Sequence, residues 1–185
     1  IVTSYLIASG IIIPSVDFFC KLMGRKKFFI LCLIVFTVAS FMCGISHSMG
    51  MIVIARFIQG LGGGSILPLS QAIIMESFPP EKRSQSMALF GLTIILAPTI
   101  GPILGGWITE NWAWPWIYMI NVPIGILAVS LTGKLLEDPP YARKQENVTC
   151  DYLGFAFLTG WLVLLQIVLD KGNDLDWFGS TIICW

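Results

Sequence analysis

The chain has 185 residues, of which 56% are hydrophobic and only 12% charged, and its 11 basic residues balance 11 acidic ones. Its mean hydropathy of +0.81 sets it apart from soluble domains, in which about 25% of residues carry charge. This composition excludes a water-soluble fold, a disordered chain and a nucleic-acid binder with a basic face, and it points to an integral membrane protein.

A bilayer core is crossed by about 20 apolar residues in helical form. Six such runs follow one another: Ile1–Phe19, Phe28–Ile45, Met51–Met75, Met87–Ile108, Trp116–Leu136 and Tyr152–Leu169, and a further one begins at Trp177. They are too long, and too unbroken in polarity, for barrel strands. Helices satisfy every backbone polar group internally, as lipid requires, so the expected fold class is an all-α transmembrane helix bundle. Ile1 and Trp185 both fall inside apolar runs, from which an internal piece of a longer protein is expected.

The first run ends in a charged cluster of Asp17, Lys21, Gly24, Arg25 and Lys26. Asp17 and Lys21 are four residues apart, the spacing of a pair on one helical face. The cluster also fixes topology. Lys21, Arg25, Lys26, Lys27, Lys82, Arg83, Lys134, Arg143 and Lys144 lie in alternate connections, nine basic residues against Lys171 alone in the others. By the positive-inside rule the nine-residue set is cytoplasmic.

The third run contains Arg56, about two turns from its start. A charge at that depth costs at least about 2–3 kcal/mol unless it meets water, a partner or the interface. Two readings stand: a buried cation facing a transport pathway, or an arginine snorkelling to the outer surface. Arg56, Gln59, Gly60, Gly63, Ser70 and Gln71 fall largely on one side of a helix, a polar and small stripe suited to protein or water rather than lipid. The run Gly60-Leu61-Gly62-Gly63-Gly64-Ser65 lacks the Lys-Ser/Thr end and the preceding strand of a phosphate loop. Close helix packing is the better reading, with Gly60 and Gly64 one turn apart.

In the fourth run Gly91, Pro98 and Gly105 are spaced by seven, with Gly101 and Pro102 between them and Gly106 following. Each proline removes an N–H and crowds the preceding turn. A bent, smooth helix is expected, serving either static packing or rocking. Trp107, Trp112, Trp114, Trp116 and Tyr118 crowd one outer connection and read as an aromatic interface belt. Glu76 and Asp151, at cytoplasmic helix ends, read as solvated carboxylates. The segment Glu137–Asp151, with Pro139-Pro140, reads as a boundary between helix groups, and its sequon at Asn147 as unused on the cytoplasmic side. The five cysteines contain no C-x-x-C pair and His47 is the only histidine, so neither a metal site nor a cofactor is expected. An intramembrane hydrolase is disfavoured too: His47 lies in an outer loop and no His-Glu-x-x-His is present.

These motifs together resemble the drug:proton antiporters of the major facilitator superfamily, the fourteen-helix group of EmrB and QacA type. Gly24-Arg25-Lys26 is similar to the end of its motif A, and Arg56-Phe57-Ile58-Gln59-Gly60 to motif B. The stretch from Ala97-Pro98 through Gly101-Pro102 to Gly105-Gly106 is similar to motif C, which marks exporters. Asn121-Val122-Pro123-Ile124-Gly125 and Leu169-Asp170-Lys171-Gly172, with Asp176-Trp177, resemble further stretches of the subgroup. The chain departs from motif A at its first position and four residues on, which hold Asp17 and Lys21 in place of glycine and aspartate.

The resemblance implies a partial major facilitator fold running from the second helix into the eighth. Residues 1–136 would belong to the N-terminal six-helix bundle, 137–151 to a cytoplasmic loop, and 152–185 to linker helices. It implies a proton-coupled multidrug exporter of amphipathic or lipophilic compounds, working by alternating access in a bacterial inner membrane. The alternative is a carrier for one defined metabolite, such as a siderophore or amino acid. Arg56 would bias protonation of a nearby carboxylate, with Gln59 and Gly60 beside it, and Pro98, Gly101, Pro102, Gly105 and Gly106 would form a bending interface. The partners implied are small-molecule substrates, protons and the lipid bilayer, with a periplasmic adaptor and an outer-membrane channel, and no nucleic acid.

Overall fold

The computed structural model describes residues 1–137 and 152–172. The Pro139-Pro140 boundary, the sequon at Asn147, Asp151 and the run beginning at Trp177 lie outside the described residues. Among the described residues every regular element is helical: α1 (Val2–Ile12), a 3-10 turn (Ile13–Ser15), α2 (Val16–Met23), α3 (Arg25–Gly44), α4 (Met49–Ser77), α5 (Pro80–Asn111), α6 (Trp116–Met119), α7 (Asn121–Leu135) and α8 (Tyr152–Lys171). They make up six spans long and apolar enough to cross a membrane.

Local chemistry accounts for the breaks. Pro14 is the second residue of the 3-10 turn that divides the first span, because proline has no N–H to continue the α-helical ladder. Gly24 ends α2 with φ 88°, a left-handed backbone that favours glycine. That single residue separates α2 from α3. Arg25, Lys26 and Lys27 therefore begin α3 instead of lying in a connection, as the sequence suggests. Lys82 and Arg83 likewise belong to the first turn of α5, which starts at Pro80, well before the apolar run. Proline at the first helical position loses nothing, since that N–H has no intrahelical acceptor. The fifth span divides at Ile120 into α6 and α7. Pro123 lies in the first turn of α7, and its missing N–H leaves the carbonyl four residues back without its helical donor.

Helix α4 is the centre of the bundle, packed between α3 and α1, while α7 lies along α3 and α8 along α1. Glycines set these approaches. A Cβ on Gly62 would stand 2.7 Å from the backbone of Cys32 and Phe36 in α3, and one on Gly64 would stand 2.8 Å from Ser9 Cα in α1. On Gly125 it would collide with the Thr37 side chain, so α7 meets α3 at van der Waals distance only because that position is bare. Near the basic end, Phe28, Cys32 and Leu69 form a buried cluster, with the Phe19 and Phe28 rings stacked at 5.3 Å.

Candidate functional site

Arg56 projects from α4 seven residues after its start at Met49. One guanidinium nitrogen, Nη1, donates to Gln59 Oε1 at 3.1 Å. Gln59 Nε2 donates in turn to Ser40 Oγ at 2.6 Å, and Ser40 donates to the Phe36 carbonyl at 2.8 Å. Gln59 is 2% exposed and Ser40 0%. An unpaired amide at that depth would cost several kcal/mol. Here both ends of the Gln59 amide are engaged, which fixes its orientation. The result is a directed chain of donors running from α4 into α3. The three-residue spacing of Arg56 and Gln59 brings them together on one helical face.

Two aromatic rings flank the half-buried guanidinium. It lies 4.6 Å from the centroid of Tyr118, on α6, and 5.9 Å from that of Tyr5, on α1. Among the described residues Nε is buried without a hydrogen-bond partner. No carboxylate among the described residues forms an ion pair with Arg56. The position of Gly60 explains how α1 comes so near: its Cβ would meet the Tyr5 carbonyl and stand 2.8 Å from Ala8 Cβ. Its carbonyl accepts a hydrogen bond from Ser9 Oγ at 3.3 Å. The structure thus brings together Arg56, Gln59 and Gly60 and adds Ser40, Tyr5 and Tyr118. The sequence assigns Tyr118 to an interfacial belt, and only tertiary packing turns its ring onto Arg56.

The charged cluster at the opposite end of the bundle is arranged differently. Lys21 pairs with Asp17 at 2.6 Å along one exposed helical face, an arrangement worth little in water. Arg25 is buried and forms an ion pair with Glu76, joining the start of α3 to the end of α4. Lys26 Nζ donates to the Gly133 carbonyl at 2.9 Å, where the last carbonyls of α7 lack helical donors. Gly24 provides the turn that places both residues at the start of α3. Glu76 does not read from the sequence as a partner. The available signal is its place as the carboxylate ending a long apolar helix, at the membrane face that carries Arg25.

Pro98, Gly101, Pro102, Gly105 and Gly106 all lie within α5. A Cβ on Gly101, Gly105 or Gly106 would meet nothing within 4 Å, so no described residue covers this smooth face. No hydrogen bond or ring contact of Arg56 among the described residues runs to α5. The Pro98–Gly106 stretch and the arginine network are separate features of the bundle.

Residues 1–173 match the Major Facilitator Superfamily. The chain is 41% identical over 180 residues to the multidrug export protein EmrB of Escherichia coli K12, covering 97% of this chain and 35% of that protein. It is 39% identical over 180 residues to the fatty acid resistance protein FarB of Neisseria gonorrhoeae, again over 97% of this chain and 35% of that one. The EmrB protein of Haemophilus influenzae is 40% identical over 185 residues, 99% of this chain and 36% of its own length. The chain therefore spans about a third of the length of these relatives. The human organic anion transporter MFSD10 shares the fold, with a TM-score of 0.69 at 24% identity over 88% of this chain and 37% of that one. The six apolar spans and the match along nearly the whole chain agree, and the chain belongs to the major facilitator superfamily.

Proposed function

We propose that this chain is part of a transporter, not an enzyme, and that the transporter expels amphipathic or lipophilic compounds in exchange for protons by alternating access. The observation that carries the reading is the Arg56–Gln59–Ser40 chain, a positive charge and a buried donor path between two packed membrane helices. A fixed cation lowers the pKa of any carboxylate brought near it. Movement of helices toward or away from Arg56 would therefore load or release a proton. Relatives named multidrug export proteins support the export of diverse compounds.

In the same reading, residues 1–136 are part of one bundle and 152–185 of the linker helices. The stretch from Pro98 to Gly106 is the surface along which helices bend or slide, and the cluster from Asp17 to Lys26 fixes the cytoplasmic end. The membrane is the bacterial inner membrane. A periplasmic adaptor and an outer-membrane channel complete the export path.

The test uses the full chain as the cell makes it, in an efflux-deficient host. Efflux of a fluorescent lipophilic cation is followed with and without a protonophore. Active efflux that collapses with the proton gradient is expected, and Arg56→Ala should abolish it at equal expression. Full proton-driven efflux by Arg56→Ala would remove the coupling role. Competition by one metabolite alone, with no effect of unrelated cations, would replace the multidrug reading with a dedicated carrier.

A further inference from the structure

We infer that Tyr118 and Tyr5 form a two-ring seat that holds the Arg56 guanidinium inside the span and sets its direction, making both tyrosines positioning residues for transport. The inference rests on the proposed role of Arg56 and deepens it.

A guanidinium among membrane helices needs negative potential around it. Within the described residues that potential does not come from a carboxylate, since neither ion pair involves Arg56. It comes from the Gln59 side-chain carbonyl and from ring faces. A cation within about 6 Å of an aromatic centroid is attracted by the ring quadrupole, more strongly when desolvated. Tyr118 at 4.6 Å and Tyr5 at 5.9 Å both satisfy this. The hydrogen bond to Gln59 engages one guanidinium nitrogen, and the central carbon lies over both rings.

The seat is itself supported. The indole of Trp114 meets the Tyr118 ring edge to face at 6.3 Å and 83°. Tyr5 reaches across α4 through space left by glycine: a Cβ on Gly63 would stand 2.5 Å from its hydroxyl oxygen. The two rings belong to different helices, α1 and α6, and the cation to a third, α4. A relative movement of these helices would change the distance from cation to ring. The seat thereby links the position of the charge to the arrangement of the bundle, without a salt bridge that must be broken.

Two measurements on the full chain test this. The first is a double-mutant cycle on thermal stability in lipid nanodiscs, with Arg56→Gln, Tyr118→Leu and the double variant. If the contact exists, the combined melting shift falls short of the sum of the single shifts by about 1–2 °C. Additive shifts would overturn the seat, whatever the transport activity. The second measurement is efflux of a lipophilic cation together with the protons that enter. Tyr118→Leu should lower the maximal rate roughly tenfold and the protons moved per substrate, with the apparent KM nearly unchanged. Tyr118→Phe, which keeps the ring face, should restore most of both.

Equal impairment by Phe and Leu would assign the effect to the hydroxyl and overturn the ring-face role, as would a Leu variant indistinguishable from wild type. Should Tyr118→Leu fail to accumulate, Tyr5→Leu against Tyr5→Phe takes its place, with a smaller loss in the same direction from its longer contact. A wild-type protein without proton-driven efflux would overturn the transport reading and with it the positioning role, while the stability cycle would still decide the seat.

Discussion

Arg25 is 7% exposed and its charge is met by Glu76, whose side chain remains about one-third exposed. Taking one partner from a buried ion pair strands the other charge and costs about 3–5 kcal/mol. The partial exposure of Glu76 lowers that expectation to about 1–3 kcal/mol. Glu76→Gln should therefore lower the melting temperature measurably in detergent or nanodiscs. The reversed pair Arg25→Glu with Glu76→Arg should recover part of the loss. By contrast, Lys21→Gln should leave the melting temperature almost unchanged, because the Asp17–Lys21 pair is exposed. The sequence marks both sets of charges but does not rank them. Asp17 and Lys21 are local and legible from their spacing, whereas Arg25 and Glu76 are 51 residues apart and meet only because α3 and α4 pack side by side.

The helices divide into two kinds. Helix α4 is enclosed on two sides, and its glycines are bare because α1 and α3 lie against them. Helix α5 also carries glycines, yet those at Gly101 and Gly105 have open space around them. Composition alone makes the two helices look alike. The difference is physical and testable. Gly62→Ala on α4 would place a methyl group into the α3 backbone, and overpacking of this kind costs about 1–3 kcal/mol. Gly101→Ala on α5 meets no described atom and gains helix propensity, about 0.5–1 kcal/mol. Melting curves should show a loss for the first variant and no loss for the second. If the Pro98–Gly106 stretch is a moving interface, Gly101→Ala should nevertheless slow efflux of a lipophilic cation. Unchanged efflux would remove that role.

At the scale of the whole molecule, the apolar spans and the alternating basic ends define a topology. His47 is exposed in the short connection between α3 and α4, and Glu81 is exposed at the start of α5, at the other end of α4. With the basic connections in the cytoplasm, His47→Cys in a background lacking other accessible thiols should react with an impermeant maleimide on intact cells. Glu81→Cys should react only after permeabilisation. The opposite pattern would invert the orientation.

The sequence by itself determined the number and approximate extent of the described spans, the helical class, the orientation expected from basic residues and the family. These follow from composition summed over about 20 residues at a time and from short contiguous motifs, both of which survive without knowledge of neighbours. It also singled out Arg56, Gln59 and Gly60, because a charge and a polar stripe are conspicuous in an apolar run. Only the tertiary structure decided which residues answer that charge. Ser40 lies 19 residues from Gln59 along the chain, and Tyr5 and Tyr118 come from α1 and α6. Each is ordinary in its own segment: a serine in a membrane helix, an aromatic residue near an interface. Their roles arise from the close approach of helices, set by bare glycine surfaces and long-range packing, and no periodicity within one helix records which neighbour lies against it.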